Sequence, residues 1–116
     1  MRLDRLKALA LSLPGTAVVA QWGGLVYKVA GRVFLMLILD GGVVDAVIFK
    51  CTPEEFAGLT EIDGIGQAPY FAKRLWVRLA DPAALPEPEL QARIRRSYGL
   101  VAAKLPKRIR ARLRPE

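Results

Sequence analysis

The chain has 116 residues, of which 53% are hydrophobic and 25% charged, and it carries a net charge of +7. That is enough chain for one domain around one core, and too apolar for a disordered segment. Its longest apolar run, Val33 to Leu39, falls far short of the roughly 20 residues that span a bilayer, so no transmembrane helix is expected.

There is no histidine, which removes the commonest general base and metal ligand and with them Ser-His-Asp, Cys-His and zinc mechanisms. Cys51 is the only cysteine, so an internal disulfide is excluded and a reducing compartment is expected. Residues 1–7 interleave charges with leucines and lack the apolar stretch of a signal peptide, which points to the cytoplasm. No catalytic constellation, metal-ligand set or cofactor motif stands out, and a non-enzymatic role is expected.

Along the chain, Leu3, Leu6, Leu9, Ala10 and Leu13 recur at three- and four-residue spacing, which predicts an amphipathic first helix stopped by Pro14-Gly15. Four segments rich in β-branched and aromatic residues follow: Val18–Trp22, Leu25–Ala30, Val33–Leu39 and Val44–Lys50. The glycines between them admit the positive φ of tight hairpins, so they read as an antiparallel meander. Val33–Leu39 is apolar at both parities, as a central strand covered on both faces would be. Thr52-Pro53-Glu54-Glu55 has an N-cap, a proline at the first helical position and acids in the first turn, which predicts a short helix. Asp63–Ala68 reads as a glycine-rich loop, Pro69–Arg74 as irregular, and Leu75–Ala80 as a fifth strand. Pro86–Leu105 carries a stripe of Leu90, Ile94, Tyr98, Val101 and Leu105, with Glu87 and Glu89 early and cations late, as a helix dipole favours. Pro106 ends or kinks that helix.

These elements predict an α+β fold: an antiparallel sheet of about five strands with N- and C-terminal helices packed on one face. Residues 1–106 form the domain and 107–116 a basic C-terminal tail. The other sheet face is free to stay open.

The positive charge is local. From Arg93 onward nine cations face one anion, Glu116, whereas residues 1–92 hold nine cations against ten anions. Lys104, Lys107, Arg108, Arg110, Arg112 and Arg114, with Arg93 and Arg96 on the preceding helix, form a candidate phosphate-binding set. The same residues equally describe a solvated helix end and a disordered tail. Ile109 and Leu113, four residues apart after Leu105, add a third reading: a short basic amphipathic helix that lies on an anionic membrane surface or docks on a partner.

A second candidate face bears Lys28, Trp76 and Arg78. If Leu75, Val77 and Leu79 point to the core, Trp76 and Arg78 share the opposite side, where an aromatic beside cations stacks a base. Alternatively Trp76 covers the sheet beneath the 63–74 segment. Tyr70 and Phe71, immediately before Lys73 and Arg74, either contact nucleic acid or anchor their loop. Cys51 next to Lys50 is either an activated thiol or a small buried apolar residue.

Several segments taken together resemble the MmcQ/YjbR family of small bacterial proteins. They are Leu13-Pro14-Gly15, Trp22-Gly23, the run Val26 to Phe34, Phe49-Lys50-Cys51-Thr52-Pro53-Glu54-Glu55, Ala68-Pro69-Tyr70 with Lys73 to Val77, Leu85-Pro86, and Ser97 to Pro106. The resemblance implies a frataxin-like α+β fold and a DNA-binding role through a double-wing arrangement of hairpins. It departs from the family pattern at Gly24-Leu25, where members typically carry His-Pro. A frataxin-like iron role would need a carboxylate-rich helical surface, and the first helix has Arg2, Arg5 and Lys7 against Asp4 alone. The expected partner is therefore DNA, with a small-ligand or protein-interaction module as the alternative.

Overall fold

The computed structural model describes residues 3–113. Arg114 of the basic tail lies outside them. Helix α1 (Leu3–Ser12) turns Leu6, Leu9 and Ala10 inward and stops where predicted, with Gly15 in the left-handed region at φ +72°. The meander follows as β1 (Thr16–Gln21), β2 (Gly24–Val29), β3 (Arg32–Asp40) and β4 (Val43–Lys50). Its first two turns, Trp22-Gly23 and Ala30-Gly31, each hold two residues at positive φ. That is the backbone twist two-residue hairpins require.

Helix α2 (Pro53–Leu59) begins on a reciprocal cap: the Glu55 amide donates to the Thr52 hydroxyl at 3.2 Å, and the Thr52 amide donates to the Glu55 carboxylate at 2.9 Å. Strands β5 (Ile65–Gln67) and β6 (Trp76–Leu79) complete an all-antiparallel sheet of order β1-β2-β3-β4-β6-β5. Helix α3 (Glu87–Ala102) then crosses the sheet, and α4 (Lys107–Leu113) closes the described chain.

The fold class is as expected, with two corrections. The segment 63–68, read as loop, contains β5, whose three residues pair with β6 through Ile65↔Leu79, Gly66↔Arg78 and Gln67↔Val77. Three residues with one apolar side chain carry no periodicity, so tertiary pairing alone makes this strand. Within the stretch beyond Pro106, set apart as a tail, Lys107–Leu113 are helical and half-bury Ile109 and Leu113 against the core. The four-residue spacing from Leu105 is what docks it.

The main core lies between α1, α3 and α4 and one face of the sheet, with Tyr27, Leu35, Leu37, Phe49, Val77, Leu79, Leu90 and Ile94 inaccessible to solvent. The register of β2 and β3 slips between Tyr27↔Leu35 and Lys28↔Val33, which leaves Phe34 as an extra residue. Because of that bulge, consecutive residues Phe34 and Leu35 both face the helices. Phe34 meets the Tyr98 ring edge-on at 5.3 Å. Just beyond the last β3–β4 pair, Leu35↔Phe49, the fully buried Ser97 hydroxyl enters between the strands, donating to the Phe34 carbonyl at 2.6 Å and accepting from the Lys50 amide at 2.8 Å.

The opposite sheet face carries a smaller cluster of Val26, Met36, Ile48, Ala68 and Trp76, partly roofed by Phe71 and Leu75. It is only half covered.

Candidate functional site

The predicted phosphate-binding residues divide into three groups. Arg93 and Arg96 serve the fold: both reach the Glu55 carboxylate, at 3.0 and 3.4 Å, and Arg93 also lies 3.6 Å from Glu89. Burial pushes the Glu55 carboxyl up, but the hydrogen bonds with Thr52 and the charges of Arg96 and Arg93 outweigh it and hold the group below its ordinary range. One carboxylate thus caps α2 and ties it to α3.

The second group is Lys104, Lys107, Arg108, Arg110 and Arg112. All are exposed, and none forms an ion pair among the described residues. They sit on the helical side of the molecule, because Leu113 of the same helix closes over Gly15 so tightly that a Cβ there would lie 2.4 Å from its side chain. Two cations outside the predicted set extend this strip. Burial, then the charge of Lys104 and after it that of Arg32, push the Lys50 ammonium below the usual lysine range. Three like charges therefore converge where β3 begins, β4 ends and α3 ends. Sequence reading missed Arg32 and Lys50 because they are isolated in the chain and meet only when the strands align.

The third group lies across the sheet. The pairs Ile48↔Arg78, Lys50↔Trp76 and Lys28↔Val33 put Arg78, Trp76 and Lys28 on the half-covered face, as the period-two argument expected. Trp76 is 9% exposed and lies under Phe71, with ring centroids 4.5 Å apart. It covers the sheet and has no free face for a base. Lys73 and Arg74 are exposed in the loop above, where the Arg74 amide donates to the Gln67 side chain at 2.9 Å. The α4 cations and the Arg78 face thus lie on opposite sides of one sheet, and Lys50, which pairs with Trp76 and shares its face, stands at the strand end between them, within reach of Lys104.

Beside Trp76 the open face holds a cleft of about 710 Å³. Met36, Ile38 and Ile48 form its floor and Arg78 its only charged lining group. Trp22 and the Pro69-Tyr70-Phe71 segment form its walls. Trp22 is 79% exposed and Tyr70 is fully exposed. The adjacent aromatics Tyr70 and Phe71 therefore part company: Phe71 anchors the loop and Tyr70 projects. The signal for Trp22 was present in Trp22-Gly23-Gly24, since a residue beside two glycines between strands belongs to the turn.

Cys51 is buried, and burial first, then the Glu55 carboxylate, push its thiol up to about 11 against an opposing pull from Arg93. That matches the apolar reading of this residue. Among the described residues no three of Cys, Asp and Glu gather closely enough to hold a metal ion, and no helix is long and apolar enough to cross a membrane.

A family model described as YjbR matches residues 11–100. The chain belongs to the YjbR family. Among solved structures, the Deinococcus radiodurans protein DR2400, with the family domain DUF419, is similar to this YjbR-family chain with a TM-score of 0.83 and 24% identity, covering 96% of this chain and 86% of its own. A Pseudomonas syringae protein solved as a structural-genomics target is similar with a TM-score of 0.68 and 20% identity, covering 86% of this chain and 98% of its own. At those identities the likeness is one of fold. A comparison with curated proteins found no match.

A Cβ at Gly24 would lie 2.5 Å from the Leu37 carbonyl oxygen, so no side chain fits here without moving the backbone of β3.

Proposed function

We propose that this YjbR-family protein is a non-enzymatic, cytoplasmic DNA-binding protein that holds the phosphate backbone along α4 and the end of α3. The observation that carries this reading is that Lys50 stands close enough to Lys104 and Arg32 for both charges to act on it, while Lys104, Lys107, Arg108, Arg110 and Arg112 form no ion pair among the described residues. Like charges brought together by folding repel one another, and a polyanion relieves that repulsion while releasing counterions. Arg93 and Arg96 take no part, being held by Glu55.

The test is a fluorescence-polarisation titration of labelled single- and double-stranded DNA at several salt concentrations. Because α4 is docked through Ile109 and Leu113, charge removal is cleaner than truncation. Changing Lys107, Arg108, Arg110 and Arg112 together to Gln should flatten the log-log salt slope by up to about 3.6 units on duplex DNA. An unchanged slope, or no binding by the parent protein at low salt, overturns the proposal.

A second reading, a small-ligand module whose basic strip is incidental, is favoured by the apolar cleft on the other face. A shift in melting temperature with small molecules and no retention of DNA at low salt selects it.

A further inference from the structure

We propose that the open-face cleft binds a small, flat, apolar molecule carrying one carboxylate-like anionic group. The rings of Trp22 and Tyr70 flank the molecule, and the Arg78 guanidinium pairs with its charge. The inference rests on the small-ligand reading and requires nothing of α4.

The cleft has the volume of a small-molecule site, at about 710 Å³. Its floor of Met36, Ile38 and Ile48 is sheet surface, rigid and apolar. The two rings at its rim do nothing for the fold, being 79% exposed in Trp22 and fully exposed in Tyr70. Both are nevertheless held at left-handed backbone positions, φ +50° and +67°, which disfavour bulky side chains. The next hairpin makes the same kind of turn with Ala30 at φ +49°. The turn therefore requires no indole, and the indole at Trp22 calls for another explanation. Flanking a planar guest supplies one.

Charge then narrows the guest. Arg78 is the one charged group lining the cleft and is half-buried, and its guanidinium has neither ion pair nor hydrogen bond among the described residues. A guanidinium on an otherwise apolar surface matches a carboxylate or sulfonate, which it can grip through two parallel N–H donors. A neutral guest leaves that group unpaired, and a polyanionic one brings charges for which the lining has no partner.

The full-length protein is titrated with 1-anilinonaphthalene-8-sulfonate, an aromatic monoanion, and with its uncharged relative N-phenyl-1-naphthylamine, following probe fluorescence at fixed salt. We expect saturable binding of the sulfonate at one site per chain. Trp22→Ala should weaken both probes about fivefold or more, since it removes a wall common to both. Arg78→Gln should weaken the sulfonate about tenfold while moving the neutral probe less than about twofold, and Arg78→Lys should restore part of that loss. The four-Gln variant of α4 should bind both probes as the parent does, which separates failure of this proposal from failure of DNA binding. Non-saturable binding overturns the inference. So does an Arg78→Gln effect equal on both probes, or displacement of the sulfonate by a thymidine oligonucleotide, which would assign the face to nucleic acid.

Discussion

Replacing Ser97 by alanine should cost more stability than any other single hydroxyl deletion in this molecule. The Ser97 side chain is fully buried and stands between two strands just past the end of their ladder, joining the Phe34 carbonyl at 2.6 Å to the Lys50 amide at 2.8 Å. It takes the place of a direct rung beyond Leu35↔Phe49, the pair at which the β3–β4 ladder ends. Alanine fills nearly the same space but leaves one buried acceptor and one buried donor with no partner, at about 1–3 kcal/mol each. The expected loss is about 2–6 kcal/mol, against total stabilities of about 5–15 kcal/mol for domains of this kind. Urea denaturation followed by tryptophan fluorescence reads it as a lower midpoint at unchanged slope. A loss below about 0.5 kcal/mol would show that β3 and β4 close directly on each other once the hydroxyl is gone, and the account of Ser97 as an inserted rung would be wrong.

Two further predictions concern the α2 cap. The pKa of Glu55 in the folded chain lies below its unfolded value, so its contribution is fully present above an unfolded pKa of about 4.3 and is lost as pH falls through the folded value. Glu55→Gln should therefore lower stability near neutrality and flatten its fall between about pH 5 and pH 3, measured by denaturation at each pH; a parallel, undiminished fall in the variant refutes the assignment. Cys51, buried with its thiol pushed up to about 11, should resist a disulfide reagent at pH 8 until denaturant unfolds the chain, and rapid modification of the native protein would contradict that.

Elements with long periodic patterns were legible in the sequence. The leucine spacing of α1, the turn glycines of the meander and Thr52-Pro53-Glu54-Glu55 each contain their own structural signal, and each forms where that signal lies. Strand β5 did not show, because its stability comes from pairing with β6 and not from its own three residues. The same division holds for the candidate sites. Parity along β6 put Arg78 on the open face correctly, but only the packed loop reveals that Phe71 covers Trp76 and leaves Tyr70 outside. Arg93 and Arg96 looked like part of the basic strip because their partner Glu55 lies 38 and 41 residues away. Charge content is a property of the sequence; which charges remain uncompensated is a property of the fold.

The contact of Leu113 with Gly15, and the hydrogen bond from the Tyr98 hydroxyl to the Pro14 carbonyl, have a kinetic consequence. Both tie the junction of α1 and β1 to the far end of the chain, so the loops they close are among the longest this molecule can form. Such closures are entropically slow and follow the local hairpins. The meander can assemble early from neighbouring segments, whereas α4 seats only after α3 has docked. On a ribosome, the apolar side of the α1–β1 junction would stay uncovered until the basic helix emerges.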